Sequence, residues 1–349
     1  MKKRIWFVLI VATLLIITGA VGSIYHFQKL EAERAKSDIN KKFKYDNSEE
    51  LVLNIKNRAS LYLSTSEDDY VHMKKQGLSY GNTKKDETSW DIKKEGNKTT
   101  VTIDNQNMQQ RIQPTVFNFG DIYDDSISLS LPENYKKITI NGNSLDIHTY
   151  ELTLSKLDIK TKYGFVDAND LITEELTIES HHGDVFLNEA KIEKDLNIDS
   201  TNGNITIQDA SFMNLKSTLK NGDIVTGNTK GNMDISNTSR NTYINHTKGT
   251  TKVDNKNGDV IFHSNQVNYD TTLESVHGTI FIEIDQQSYD RNKMDFATNF
   301  GVVSIFNENL SSETKFSKDK GTHLLKATSK NGDITVNELD EDDTEYDSH

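Results

Sequence analysis

The chain has 349 residues, enough for one long repeat array or two ordinary domains. Only 34% are hydrophobic and the mean hydropathy is −0.65, which suits a thin, elongated fold better than a deep globular core. Two prolines, no cysteine and a net charge of −13 exclude a stiff proline linker, a disulfide framework, a thiolate metal site and a cysteine nucleophile, and argue against nucleic acid as a partner.

Lys2, Lys3 and Arg4 precede an uncharged run from Ile5 to Phe27 that is rich in Ile, Val and Leu. At 1.5 Å per residue this run spans the roughly 30 Å hydrocarbon core of a bilayer. Trp6, Tyr25 and Phe27 bracket it as an aromatic belt. The prediction is a single transmembrane helix with its N-terminus in the cytoplasm, leaving residues 28–349 outside with a charge of −16. The small residues from Gly19 to Ser23 also fit a cleaved signal peptide. Apolar residues continue past Gly22, which favours a retained anchor, and no cysteine follows for lipid attachment. Residues 28–49 read as a juxtamembrane helix or stalk, with helix formers and mixed charges.

Residues 50–135 contain alternating strand patterns without a fixed period, such as Leu51–Ile55, Leu61–Leu63, Thr99–Ile103 and Ile127–Leu131. They are predicted to form an irregular β cap on the periodic region C-terminal to them. From 136 to 337 a period takes over. Gly164, Gly183, Gly203, Gly222, Asn241, Gly258, Gly278, Gly301 and Gly332, nearly all preceded by a polar residue, recur at spacings of 19, 20, 19, 19, 17, 20, 23 and 31. Asn241 is placed with the glycines because Asn tolerates positive φ. Aliphatic residues recur two and four positions after the turn, as in Ile205 and Ile207, and five before it, as in Ile198. Asn143, with Ile138, Leu145 and Ile147, reads as an earlier copy.

Asn-Gly between strands ordinarily marks an antiparallel hairpin, so a meander of hairpins is one reading. Units that keep their register across turn substitutions point instead to stacking. The predicted fold is therefore all-β: a parallel β-solenoid of about 20-residue rungs, stacked about 4.8 Å apart, behind one N-terminal transmembrane helix. Residues 307–321 form a loop that lengthens the last interval, and 338–349 an acidic tail.

The Asn-Gly-Asp-Ile/Val unit, Leu129-Ser130-Leu131-Pro132-Glu133 and the single N-terminal anchor resemble the putative-adhesin family of bacterial β-strand-repeat proteins, including its LiaG-like members from Gram-positive bacteria. The resemblance covers roughly residues 50–337. It implies an envelope-located, non-enzymatic protein, with some members tied to responses against wall-active antibiotics, and it carries over no catalytic residue.

The residues themselves point the same way. Asp184, Asp223, Asp259 and Asp333 follow the turn, but Asn204 and Thr279 interrupt the series and the calcium-binding nonapeptide is missing, so turn chemistry explains them better than calcium. His181 and His182 lie about five rungs from His277, too far apart to share a metal. No carboxylate cluster of the polysaccharide-lyase kind and no nucleophile elbow is visible. No catalytic, cofactor or metal residue is assigned. The expected function is binding at the cell membrane, to a membrane sensor protein, a cell-wall glycan or a cationic peptide, as an accessory of the envelope stress response. The alternative is a surface adhesin or structural spacer that binds glycan or host protein. Leu131-Pro132-Glu133-Asn134 lies mid-chain with no apolar tail after it, so it is no wall-sorting signal.

Overall fold

The structure is a computed structural model that describes residues 16, 18–25, 39–45, 47–76, 88–105, 126–306, 308 and 313–339. Residues 18–25 are helical, and among the described residues no helix is long and apolar enough to cross a membrane. The rest of the expected anchor, most of the stalk and residues 340–349 of the expected tail lie outside the described residues.

A typical rung starts with a long strand, Asp195–Asn202, turns at Gly203 (φ 115°), runs through the short strand Ile205–Gln208, and turns again at Asp209 (φ 50°). Long strands stack on long strands and short on short, all parallel, so the protein is a two-sided solenoid and not a meander of hairpins. Val166, Val185, Ile205, Ile224, Thr242, Val260 and Ile280 pair in one inward ladder along the short-strand sheet. Leu157, Leu176, Leu196, Leu215 and Met233 do so along the other. All of them are buried. The core is the narrow seam between the sheets, which is why so modest an apolar content suffices.

The turn glycines are required by contact as well as by φ. A Cβ on Gly183, Gly203 or Gly222 would lie 2.0, 2.3 or 1.9 Å from the carbonyl oxygen of the glycine one rung earlier. Inside this corner a polar ladder takes up turn carbonyls. Ser275 Oγ donates to Gly258 O (3.3 Å), Ser329 Oγ to Gly278 O (3.0 Å), and Asn255 Nδ2 to Arg240 O (2.9 Å).

Three sequence expectations need correction. Arg240, not Asn241, holds the turn, with φ 105°, and Thr242 and Ile244 point inward where Tyr243 and Asn245 were expected. Asn241 instead takes the post-turn place of Asp223. With Arg240 as the turn, Ile235 falls into register with Ser217 and Val253. The earlier copy is displaced by two residues: Ile147, not Leu145, pairs with Val166, and Leu145 stands beneath Gly164.

The third correction concerns rung order. The last rung in sequence, Leu324–Ser329 with Ile334–Glu338, inserts between the rung of 271–284 and that of 293–305. Gly332 therefore stacks on Gly278, and Gly301 on Gly332. The helix Gln286–Arg291 and the connection after Ile305 give the chain the slack to step over one place and return.

The N-terminal end uses the same device. Glu50–Ile55 and Ala59–Thr65 form a rung lodged between Lys137–Thr149 and the outer pair Lys98–Asn105 and Ser126–Leu131. The segment 50–135 thus supplies two parallel rungs besides its capping strands. Antiparallel strands cover both ends. Thr88–Glu95 and Tyr70–Gln76 lie at one, with Ile39–Lys44 beyond the latter, and Lys315–Lys318 lies at the other. Such cover occupies backbone groups that an open edge would offer to another chain.

Candidate binding face

Outward side chains stand in ladders about 4.8 Å apart along the stack, so each sheet presents a regular lattice to solvent. The two faces differ in chemistry. The long-strand face is charged and pairs with itself across rungs. Lys137 lies 3.3 Å from both Glu50 and Asp158, Lys156 2.7 Å from Glu175, and Lys160 2.7 Å from Glu179. The hydrogen bond to Glu175 holds the Lys156 ammonium above the ordinary lysine value. These exposed pairs add little to stability; they lie toward the N-terminal end of this face, and further along it Lys216, Asp234 and Lys252 alternate in sign from rung to rung.

The short-strand face carries aromatic and amide side chains instead. Tyr62, His148, Asp167, Phe186 and Thr206 occupy one register column, which continues to Tyr243 and Phe281. The His148 ring stacks on Tyr62 at 4.6 Å and meets Phe165 edge-on at 5.0 Å, while its Nδ1 lies 3.2 Å from Asp167 Oδ2. A shallow depression of about 470 Å³ opens around Phe186, lined by Asp167, Asp184, Asn188, Thr206 and Gln208 among others.

The post-turn acids have a structural job. Asp184 Oδ1 accepts from Asn204 N (2.7 Å), Asp223 Oδ1 from Asn241 N (2.9 Å), Asp259 Oδ1 from Thr279 N (2.8 Å) and Asp333 Oδ1 from Val302 N (2.8 Å). Asn204 and Asn241 continue the chain with their own side-chain oxygens. Where Asp or Asn follows the turn, the rung thereby binds the turn of the next. This explains why Asp and Asn interchange here, since both supply the one acceptor needed.

His182 stacks on Tyr163 at 5.1 Å and meets Asn202 Nδ2 at 3.2 Å, and His277 Nδ1 lies 2.9 Å from Asn331 Nδ2. The two histidines thus stand several rungs apart in the column that precedes the turn, each on local partners. Among the described residues no group of three or more His, Cys, Asp or Glu side chains is arranged to hold a metal ion. The aromatic column escaped sequence reading because attention falls on the inward positions of each strand; its signal was the outward residue three places after each turn.

The Toastrack DUF4097 family matches residues 48–235 and 194–337. Among solved structures, the chain is similar to a putative adhesin from Bacteroides fragilis (14% identity, TM-score 0.41, covering 87% of this chain and 99% of that one). It is similar also to a putative adhesin from Parabacteroides merdae (9%, TM-score 0.43, covering 86% and 96%) and to a putative lipid binding protein from Parabacteroides distasonis (13%, TM-score 0.38, covering 86% and 96%). No curated protein matches the chain.

Proposed function

Because this chain belongs to the Toastrack family over residues 48–337, an adhesin-like β-repeat fold, we propose that it is a non-catalytic binding scaffold of the bacterial cell envelope. Its short-strand face is the binding surface. The observation that carries this reading is the contrast between the two outer faces: one is charged, with cross-rung ion pairs toward its N-terminal end, and the other carries aromatic rings and amides. Exposed rings such as Phe186 and Phe281 on one face suit recognition better than solubility.

The uncharged run Ile5–Phe27 behind Lys2, Lys3 and Arg4 supports a retained membrane anchor with the scaffold outside. A surface carrying −16 just beyond the bilayer attracts cations over about a Debye length, roughly 8 Å at physiological salt. This supports a role as an accessory of the envelope stress response, where wall-active cationic compounds and their membrane sensors meet.

Protease added to intact, wall-stripped cells should degrade everything after residue 27; a protected chain would refute the topology. Deleting the gene should raise sensitivity to wall-active antibiotics and leave surface attachment unchanged. The opposite pair of phenotypes would make the protein an adhesin. A chain with Tyr243→Ala and Phe281→Ala should fold normally yet fail to complement the deletion; full complementation would remove the face from the mechanism.

A further inference from the structure

Phe186 sits at the centre of a three-by-three lattice. On its own strand Asp184 and Asn188 flank it, pointing outward on the same face. Asp167 lies one rung below it and Thr206 one rung above. Gln208 fills the far corner, next to Asn188. With rungs about 4.8 Å apart and alternate residues about 6.6 Å apart, the lattice measures roughly 10 by 13 Å. That is the footprint of a short oligosaccharide. Phe186 is 41% exposed, so its ring is available as a platform, and Phe165 walls one corner of the depression.

The polar groups around the ring fall into two kinds. The carboxylates are already fixed: Asp167 Oδ1 accepts from Asn169 Nδ2 (2.6 Å), its Oδ2 faces His148, and Asp184 Oδ1 holds the Asn204 amide. The side chains of Asn188, Thr206 and Gln208 make no hydrogen bond among the described residues, which leaves donors and acceptors facing the depression.

Gly227 adds a separate observation. It ends the short strand Ile224–Gly227 at a place where no turn demands positive φ. A Cβ there would lie 2.2 Å from Gln208 Oε1, because the Gln208 amide leans across it. A glycine inside a strand marks a close approach, and this one is the seat of the Gln208 amide.

On the scaffold reading above, we infer that this lattice binds a neutral oligosaccharide, with one pyranose ring stacked on Phe186 and its hydroxyls shared between Asn188, Gln208 and the two fixed carboxylates. An aromatic platform rimmed by amides matches a sugar, which has an apolar C–H face and a polar edge. The carboxylates repel an anionic ligand, and their existing partners blunt the attraction for a cationic one. A peptide cannot add as a strand, because the backbone groups here are spent on parallel pairing to both neighbours. The depression is also too shallow to hold apolar anchors.

The test is calorimetric titration of the full chain, in a detergent without a sugar headgroup, with cellotetraose and chitotetraose. Saturable binding of at least one is expected, weakened about tenfold by Phe186→Ala, by Gln208→Ala, and by Gly227→Val, which unseats Gln208. Lys252→Ala, exposed on the opposite, long-strand face, should leave it unchanged, and thermal melts should show all four variants folded. No saturable binding of either sugar, or equal binding by Phe186→Ala, overturns the inference. The scaffold reading is separable. It survives if Tyr243→Ala with Phe281→Ala abolishes complementation while neither sugar binds, and it fails if that variant complements fully whatever the sugars do.

Discussion

At Gly203 two demands fall on one residue: φ is 115°, and any Cβ would press to 2.3 Å on the carbonyl of Gly183. Gly203→Ala should therefore cost about 3 kcal/mol, read as a lowered denaturation midpoint. Arg240 occupies the equivalent turn at φ 105° with an ordinary side chain. Replacing it should act in the opposite sense: Arg240→Gly relieves a left-handed strain of about 1 kcal/mol and should raise the midpoint. A lowered midpoint would place the turn elsewhere. The neighbouring positions 205 and 206 make the same point about faces. Ile205→Asp buries a carboxylate between Val185 and Ile224 and should cost several kcal/mol, whereas Thr206→Asp points to solvent and should change stability little. These residues also show what a sequence reveals. Gly203 and Ile205 were legible because contact and burial each restrict the residue type. Arg240 was not, because arginine carries no signature of left-handed backbone and the adjacent Asn241 carries a strong one.

Among the elements, the inserted rung is the least legible feature, and the reason is physical. A parallel ladder asks only that inward side chains match in size and polarity, so Ala327 and Ser329 fit beside Leu273 and Ser275 as well as Phe296 and Thr298 would. Periodicity cannot tell which rung is a neighbour. Cross-linking can, since the chain has no cysteine of its own. Glu274 and Thr328 are register partners, one rung apart and both outward, within the 4.4–6.8 Å that a disulfide spans. Glu274→Cys with Thr328→Cys should oxidise readily. Glu274→Cys with Ala297→Cys, two rungs apart, should not, and the reverse outcome would restore sequence order. The helix that lets the chain step over a rung has a pH signature. Tyr289 is buried and its hydroxyl donates to Glu308, and burial followed by that carboxylate pushes the phenol well above its ordinary value. A group with a raised folded pKa stabilises fully below its unfolded pKa, about 10 for tyrosine, and loses that contribution as pH rises through the folded value. The C-terminal end should therefore loosen in strong alkali, and Tyr289→Phe should remove that part of the dependence. Equal alkaline profiles for the two proteins would count against the contact.

For the whole molecule, a solenoid is nearly one-dimensional, so its stability is a sum of rung terms and nearest-neighbour interfaces. Antiparallel strands cover both ends and out-of-order rungs interlock near them, so fraying should not begin there. The rungs with the most polar interior lie in the middle. Thr226, Thr242, Thr251, Asn237 and Asn255 replace aliphatic or small hydroxyl residues in the inward ladders between 224 and 257, and all are buried. Thr226 Oγ1 and the Oδ1 atoms of Asn237 and Asn255 have no hydrogen-bond partner in the interior. Each such group costs about 1–3 kcal/mol of desolvation. Native-state hydrogen exchange should therefore open rungs 224–257 before those on either side, dividing the rod into two halves that outlast their junction. Thr226 tests the cause, because it stands between the aliphatic residues Ile207 and Ile244 in its ladder. Thr226→Val removes the unpaired hydroxyl at nearly constant shape, and should stabilise by about 1 kcal/mol and slow exchange across the junction alone. Uniform slowing along the rod would show that the rungs melt together, and unchanged exchange would show that the buried hydroxyl is not what makes the middle weak.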